Sequence, residues 1–230
     1  MEIQKKLYWL MQAGITCFCG DQPASQQSPK ETKKANKPIA ATEQASQQAS
    51  QAKDLPTLNK EKVDFTLSSL KKTATHTVLG LGPTHPKLMC ILEMPDSDSD
   101  KAGNALAGAQ ATLLTKMMKA IQLNIDTEVY ITYLSPWRSP GSRPLTKTER
   151  ALFYPFIARE IQLVQPQSIL LFGASAVQTL LAIDSLSKAR GTWHTWQGIP
   201  CRATLAPSTL KTTSLRQQAW TDLQEVQKKF

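Results

Sequence analysis

Cysteine is scarce in this chain: four residues in 230, namely Cys17, Cys19, Cys90 and Cys201. So few, so scattered, exclude a disulfide-stapled scaffold. Cys90 and Cys201 each sit in an apolar run and read as core residues. Cys17-Phe18-Cys19 could hold half a metal site but lacks the second pair that would complete it, so no metal is expected. A reducing compartment, the cytoplasm, is the expected setting. No apolar run is long enough to span a membrane. Neither a Gly-x-Ser-x-Gly elbow nor a Walker phosphate loop occurs, which leaves an acyl- or phospho-hydrolase without support. Acid is in short supply as well. Eighteen Asp and Glu stand against 27 Lys and Arg, a formal charge of +9, with a pI near 9.4. Such an excess favours a polyanionic partner. With 41% hydrophobic and 20% charged residues, the composition suits a globular core rather than wholesale disorder.

Ile3, Leu7, Leu10 and Met11 fall on one helical face, so residues 1–19 are expected to form a short amphipathic helix rather than a signal sequence. Residues 20–60 then turn polar and repetitive. Gln44-Ala45-Ser46-Gln47-Gln48-Ala49-Ser50-Gln51-Ala52 offers little apolar surface to offset the entropy of ordering. A disordered linker is the expectation. From residue 61 to 230 the pattern is globular. Leu88-Met89-Cys90-Ile91-Leu92-Glu93-Met94 is a continuous apolar run halted by Pro95, as in a central parallel strand. Val129–Leu134, Ser168–Phe172 and Cys201–Leu205 supply three more strands. Apolar residues at helical spacing fill Ala111–Leu123, Thr148–Val164, the segment after Gly173, and Leu215–Val226. Strands alternating with helices predict an α/β fold: a three-layer α/β/α sandwich around a four-stranded parallel sheet. Ligands of such sheets bind at the carboxyl ends of the strands. Function should therefore lie in the loops after Glu93, Leu134, Phe172 and Leu205.

Those loops carry a collinear set of short motifs. They are Ile91-Leu92-Glu93-Met94-Pro95, Gly103-Asn104-Ala105-Leu106-Ala107-Gly108, Val129-Tyr130-Ile131-Thr132-Tyr133 and Pro136-Trp137-Arg138-Ser139-Pro140-Gly141-Ser142-Arg143-Pro144. Further on come Arg190-Gly191-Thr192-Trp193, Ala206-Pro207-Ser208-Thr209-Leu210 and Trp220-Thr221-Asp222-Leu223. In order and spacing, from about Leu81 to Leu223, the set resembles the uracil-DNA glycosylase superfamily, in particular the iron–sulfur type called family 4 and its proteobacterial relatives. The resemblance implies a DNA-repair fold that extrudes a base and clamps it in a pocket lined here by Pro95, Leu106, Tyr133 and Ala206.

The pocket departs from the family pattern. Leu106 stands where the family stacks a phenylalanine, which leaves hydrophobic contact without the π-face. Tyr133 replaces an asparagine, and one phenol cannot reproduce both amide functions. Ala206 replaces a histidine that donates to the leaving base; losing one such donor costs on the order of a hundredfold in rate. Glu93 survives at the acidic position, where a carboxylate can orient water or stabilise an oxocarbenium-like sugar. The aspartates behind it, Asp96, Asp98 and Asp100, read as a turn and helix cap. Cysteine is missing where the family would place its cluster ligands, near Trp137 and Tyr154, so no iron–sulfur cluster is expected and the aromatics are expected to fill its space. Arg138, Arg143, Arg190, Ser208 and Lys211 are the candidate phosphate contacts, and Leu210 resembles the apolar wedge pushed into a duplex. Trp193, His194 and Trp196 either pack the core edge or stack bases. The expectation is a monomeric, nucleoid-associated N-glycosylase with weakened or altered activity. A catalytically inactive nucleic-acid-binding module with the same fold is the alternative.

Overall fold

The computed structural model describes residues 37–230, so the helix expected over 1–19 and the start of the linker lie outside the described residues. The predicted strands appear as β1 (Leu88–Leu92), β2 (Val129–Tyr133), β3 (Ser168–Phe172) and β5 (Ile199–Thr204). They are mutually parallel, in the order β2-β1-β3-β5. A fifth strand, β4 (Trp193–Trp196), pairs antiparallel with β5 and closes that edge. The four-stranded parallel sheet expected from the sequence is thus a five-stranded mixed one. The aromatic cluster Trp193-His194-Thr195-Trp196 gives no strand signal in the sequence, because it is short and only Trp196 is buried. Trp193 packs against the core edge and Trp196 is buried.

Every residue of β1, β2 and β3 is buried, which is why these strands read as unbroken apolar runs. Side-chain alternation sends successive residues to opposite faces. Met89, Ile91, Tyr130, Ile169, Leu171, Cys201 and Ala203 pack on one side, under α5 (Lys147–Val164) and α6 (Ala174–Leu180). Leu88, Cys90, Val129, Ile131, Tyr133, Leu170 and Phe172 pack on the other, under α4 (Gly108–Ala120) and α8 (Thr213–Gln227). Two short helices, α3 (Ser97–Ala102) and α7 (Leu186–Ala189), complete the layers. The result is the expected α/β/α sandwich.

The linker expected over 20–60 requires correction within the described residues. Its second half forms α1 (Lys37–Gln51) and α2 (Leu55–Asp64). Ala45, Ala49 and Ala52 are buried against the same core cluster as α5. Composition hides this, since alanines contribute little apolar area but let two helix backbones approach closely. Asp54 caps α2 by accepting from the Thr57 N–H at 2.8 Å, and Pro56 stands in its first turn, where a missing N–H costs nothing. Leu58 is fully buried, and Lys62 pairs with Glu160 of α5 at 2.7 Å. Glu160, with no exposed side-chain surface, also accepts from the Tyr130 and Thr132 hydroxyls at 3.0 and 2.8 Å. Arg159 holds the Ala52 carbonyl through two donors at 2.9 and 2.8 Å. These contacts fasten the N-terminal helices to the sandwich.

Candidate active site at the carboxyl ends of the strands

Strand pairing carries on past the ends of β1 and β2, because the Leu134 and Ser135 N–H groups donate to the Leu92 and Glu93 carbonyls at 2.9 and 3.1 Å. Glu93 leaves β1 half-buried. Its Oε1 accepts from the Leu145 N–H at 2.8 Å and from the Ser175 hydroxyl at 2.6 Å. Two donors from two different loops fix the carboxylate's orientation, one on the segment entering α5 and one on the first turn of α6. Gly173, at φ +85°, permits the abrupt strand-to-helix turn that delivers Ser175. Sequence reasoning located this turn but missed Ser175 as a partner of Glu93. A hydroxyl two residues past a strand-ending glycine was the available signal.

Pro95 is buried beside Glu93. Met94 receives the loop after β2: its Sδ lies 3.4 Å from Ser139 N and 3.2 Å from Ser139 Oγ. Tyr133 ends β2 almost completely buried, its hydroxyl donating to the Ala105 carbonyl at 3.3 Å. Burial raises its phenol pKa above the ordinary value, and the nearby Asp96 charge adds to that, while a hydrogen bond with Ser99 opposes it. The ring is therefore a neutral donor committed to the backbone. Leu106 is half-buried against the same cluster. Ala206 follows β5, and its carbonyl accepts from the Thr209 N–H and hydroxyl at 2.9 and 2.7 Å, shaping the single turn Pro207–Thr209. A Cβ placed on Gly173 would stand 3.6 Å from the Ala206 Cβ, so the ends of β3 and β5 meet there. Glu93, Pro95, Leu106 and Ala206 thus fall on loops past the strands, and Tyr133 is the last residue of β2.

Asp96 and Asp100, behind Glu93, are structural. Asp96 caps α3 through the Ser99 N–H at 2.8 Å. Asp100 is buried and accepts from the Thr75 N–H and hydroxyl, both at 3.0 Å.

The basic candidates divide into two groups. Arg138 donates to Ser142 Oγ at 3.1 and 2.9 Å and keeps its position on the loop after β2. Ser208 and Lys211 are exposed. Arg143, by contrast, forms a bidentate pair with Glu149 at 2.8 and 2.6 Å. Glu149 is also the third residue of a capping box with Thr146. Arg190 is turned into α8, with Nε on Asp222 at 2.8 Å and its other two nitrogens on Gln218. These two side chains are occupied by protein partners. Leu210 is also displaced from its expected place. It is buried, lining a groove of about 220 Å3 between α4 and α8 with Met117 and Leu223, whereas a duplex wedge must be exposed.

Trp137 is buried, its ring centroid 5.7 Å from that of Phe153 and its indole N–H donating to Thr77 Oγ1 at 2.9 Å. Tyr154, next to Phe153 in sequence, is half-buried. The two cysteines within the described residues, Cys90 and Cys201, belong to opposite faces of the sheet. Burial raises both thiols, Cys201 to about 12, which keeps them protonated where a ligand must be a thiolate. No group of three or more potential metal ligands occurs among the described residues. Among the described residues, the side chains around Trp137 supply no set of four anchoring thiolates, which an iron–sulfur cluster needs.

A doubly covered parallel sheet with a carboxylate pinned at its carboxyl edge belongs to the α/β sandwiches that take their ligand at the strand ends. A sequence model of the uracil DNA glycosylase superfamily matches residues 79–224, from just ahead of β1 into α8. The chain belongs to that superfamily. It is similar to the type-4 uracil-DNA glycosylase of Sulfurisphaera tokodaii, 28% identical over 147 residues, or 60% of this chain and 67% of the relative. The type-4 uracil-DNA glycosylase of Archaeoglobus fulgidus is 30% identical over 127 residues, 53% of this chain and 63% of the relative. That of Thermotoga maritima is 27% identical over 135 residues, covering 58% and 70%. The chain therefore spans about two thirds of the length of these relatives.

Proposed function

We propose that this protein handles DNA at the carboxyl edge of its sheet and acts there as an N-glycosylase of the uracil type, with weak or altered base preference. The observation that carries this reading is Glu93, held at the end of β1 by the Leu145 amide and the Ser175 hydroxyl. Both donors reach the same oxygen, Oε1. The other oxygen is the one that would face a flipped nucleotide. As the N-glycosidic bond breaks, its electron pair leaves with the base and positive charge develops on the sugar. A fixed carboxylate stabilises that charge and orients the water that adds to the anomeric carbon, accepting its proton.

Three neighbours weaken the step. Leu106 offers no aromatic face, Tyr133 offers a hydroxyl already given to Ala105, and Ala206 offers no donor to the departing base. Arg138, Ser208 and Lys211 are the contacts available to phosphates. Excision assays on single- and double-stranded DNA carrying uracil, hypoxanthine or xanthine test the reading. Slow excision of at least one base, lost in Glu93→Gln, is expected. Ala206→His with Leu106→Phe and Tyr133→Asn should raise uracil excision about a hundredfold or more.

A second reading, a binding module without chemistry, draws on Tyr133, a buried phenol at the position where the resembling family has its base-reading asparagine. Inactivity on every lesion, unrelieved by the restored triple variant while DNA binding persists, selects it. In either reading the protein holds no iron–sulfur cluster, and stoichiometric iron and sulfide in anaerobically purified protein would contradict that.

A further inference from the structure

A cleft of about 600 Å3 opens beside α5, walled by Lys147, Arg150 and Tyr154 on that helix and by Gln178, Thr179 and Asp184 around the end of α6. We propose that it is a second ligand site, one that takes a nucleotide, with the phosphate on Lys147 and Arg150 and the base against Tyr154. The volume lies within the usual range for small-molecule pockets. Lys147, Arg150 and Tyr154 are spaced three and four residues apart, so they form one stripe on α5. Two cations face one carboxylate, Asp184, which leaves a net positive wall suited to a phosphate monoester. Lys147 has no ion-pair partner among the described residues. Gln178 already donates its amide nitrogen to the Asp184 carbonyl at 2.6 Å, leaving its amide oxygen as an acceptor for a base or sugar donor. The aromatic ring of Tyr154 supplies a stacking surface.

The cleft is also wired to Glu93 from both walls. Arg150 donates to the Leu145 carbonyl at 2.8 Å, and the N–H of the same residue donates to Glu93 Oε1 at 2.8 Å. On the facing wall, the Thr179 hydroxyl donates to the Ser175 carbonyl at 2.6 Å, and the Ser175 hydroxyl holds the same Glu93 oxygen. A phosphate that draws the Arg150 guanidinium away from Leu145 loosens one of the two donors that orient Glu93. Occupancy of the cleft therefore alters the carboxyl-edge site without touching it.

Either a free mononucleotide or a nucleotide within a DNA strand presents this chemistry. The test is calorimetric titration of the full chain with deoxyadenosine 5′-monophosphate and, separately, with a 5′-phosphorylated single-stranded oligonucleotide. Saturable binding of the mononucleotide, weakened about tenfold or more in Lys147→Glu through loss of a charge-assisted contact, identifies a free-nucleotide site. The same weakening seen only with the oligonucleotide identifies a strand contact. Binding of neither ligand, or binding that Lys147→Glu and Arg150→Gln leave unchanged, overturns the proposal. Lys147 is exposed, so its variant folds, and thermal melts verify this. The coupling is read by hydrogen exchange at the Leu145 amide, which should speed up several-fold with the site filled; unchanged exchange at saturation overturns that coupling. None of these readouts needs base excision, so their failure leaves the glycosylase reading standing.

Discussion

Replacing Lys62 by methionine removes the one cation that, among the described residues, pairs with Glu160, a carboxylate with no exposed side-chain surface. The pair is 2.7 Å apart with 6% of the lysine side chain exposed, so water cannot take over from the missing ammonium. The Tyr130 and Thr132 hydroxyls, at 3.0 and 2.8 Å, still donate but do not carry charge. Breaking one side of a buried pair costs about 3–5 kcal/mol, a large share of the roughly 5–15 kcal/mol that separates folded from unfolded states. For a domain of this size the melting temperature should drop by roughly 6–20 °C, at about 2–4 °C per kcal/mol. Adding Glu160→Gln to Lys62→Met keeps an acceptor for one hydroxyl, offers an N–H that the other hydroxyl can turn to accept, and removes the stranded charge. Most of the lost stability should return in that double variant. Thermal and urea unfolding of the single and double variants measures both quantities. A loss below about 1 kcal/mol in the single variant, as for a surface pair, would refute the burial argument. A double variant as unstable as the single would show that the stranded charge is not the cause. The same cluster makes Gly80 intolerant of change, since a Cβ there would run into the Tyr130 hydroxyl and the Glu160 carboxylate.

Leu210→Ala should lower stability by about 2–4 kcal/mol in urea unfolding, as for a buried leucine; a stability change near zero would mean that Leu210 is an exposed wedge after all. Glu149 is held at about 2, down from 4.5, chiefly by its hydrogen bond with Arg143 and further by Thr146, against the opposing effect of burial. A depressed carboxylate stabilises the fold fully above pH 4.5 and loses that contribution as pH falls toward 2. Arg143→Gln should therefore destabilise the fold modestly at pH 7, as expected for a solvent-screened pair, and the gap from wild type should close near pH 2; a gap independent of pH contradicts this. Lys211→Ala should reduce the salt slope of DNA binding by about one unit. Arg190→Ala should leave that slope unchanged and instead lower the melting temperature, because Asp222 is buried and loses its nearest cation. A reduced slope in a stably folded Arg190 variant would return that residue to the DNA face.

The sheet was legible because parallel strands buried on both faces leave unbroken apolar runs, and Leu88–Leu92, Val129–Tyr133 and Ser168–Phe172 are such runs. β4 was not, because only Trp196 of its four residues is buried and an edge strand needs no apolar continuity. α1 escaped for a different reason. Its buried residues are Ala45 and Ala49, and a helix that docks by close backbone approach resembles a low-complexity tether when only apolar content is counted. Asp96 was legible as a cap since it stands immediately before α3, where a side chain meets the free N–H groups; Asp100, buried on Thr75, was not.

At the site, sequence order located the loops, but charge alone could not say which cations are free. Arg143 finds Glu149 six residues ahead, a separation that a capping-box signature at Thr146 and Glu149 makes readable in retrospect. Arg190 finds Asp222 thirty-two residues away, a pairing that local spacing does not reveal. It nonetheless explains two of the motifs together. The arginine of Arg190-Gly191 and the aspartate of Trp220-Thr221-Asp222-Leu223 form one interaction, which ties α8 to the segment before β4, with Arg202 as a second cation 3.8 Å from the same carboxylate. Those motifs therefore record a packing requirement of the fold. Glu93 differs, because among the described residues both of its side-chain hydrogen bonds reach one oxygen, from the segment entering α5 and from the first turn of α6. A residue that serves only to hold the fold is expected to have its polar atoms used up by it; Glu93 keeps an oxygen for something else. That surplus at a strand's carboxyl end is what the proposed reading rests on, since Leu106, Tyr133 and Ala206 depart from the motifs that the sequence resembles.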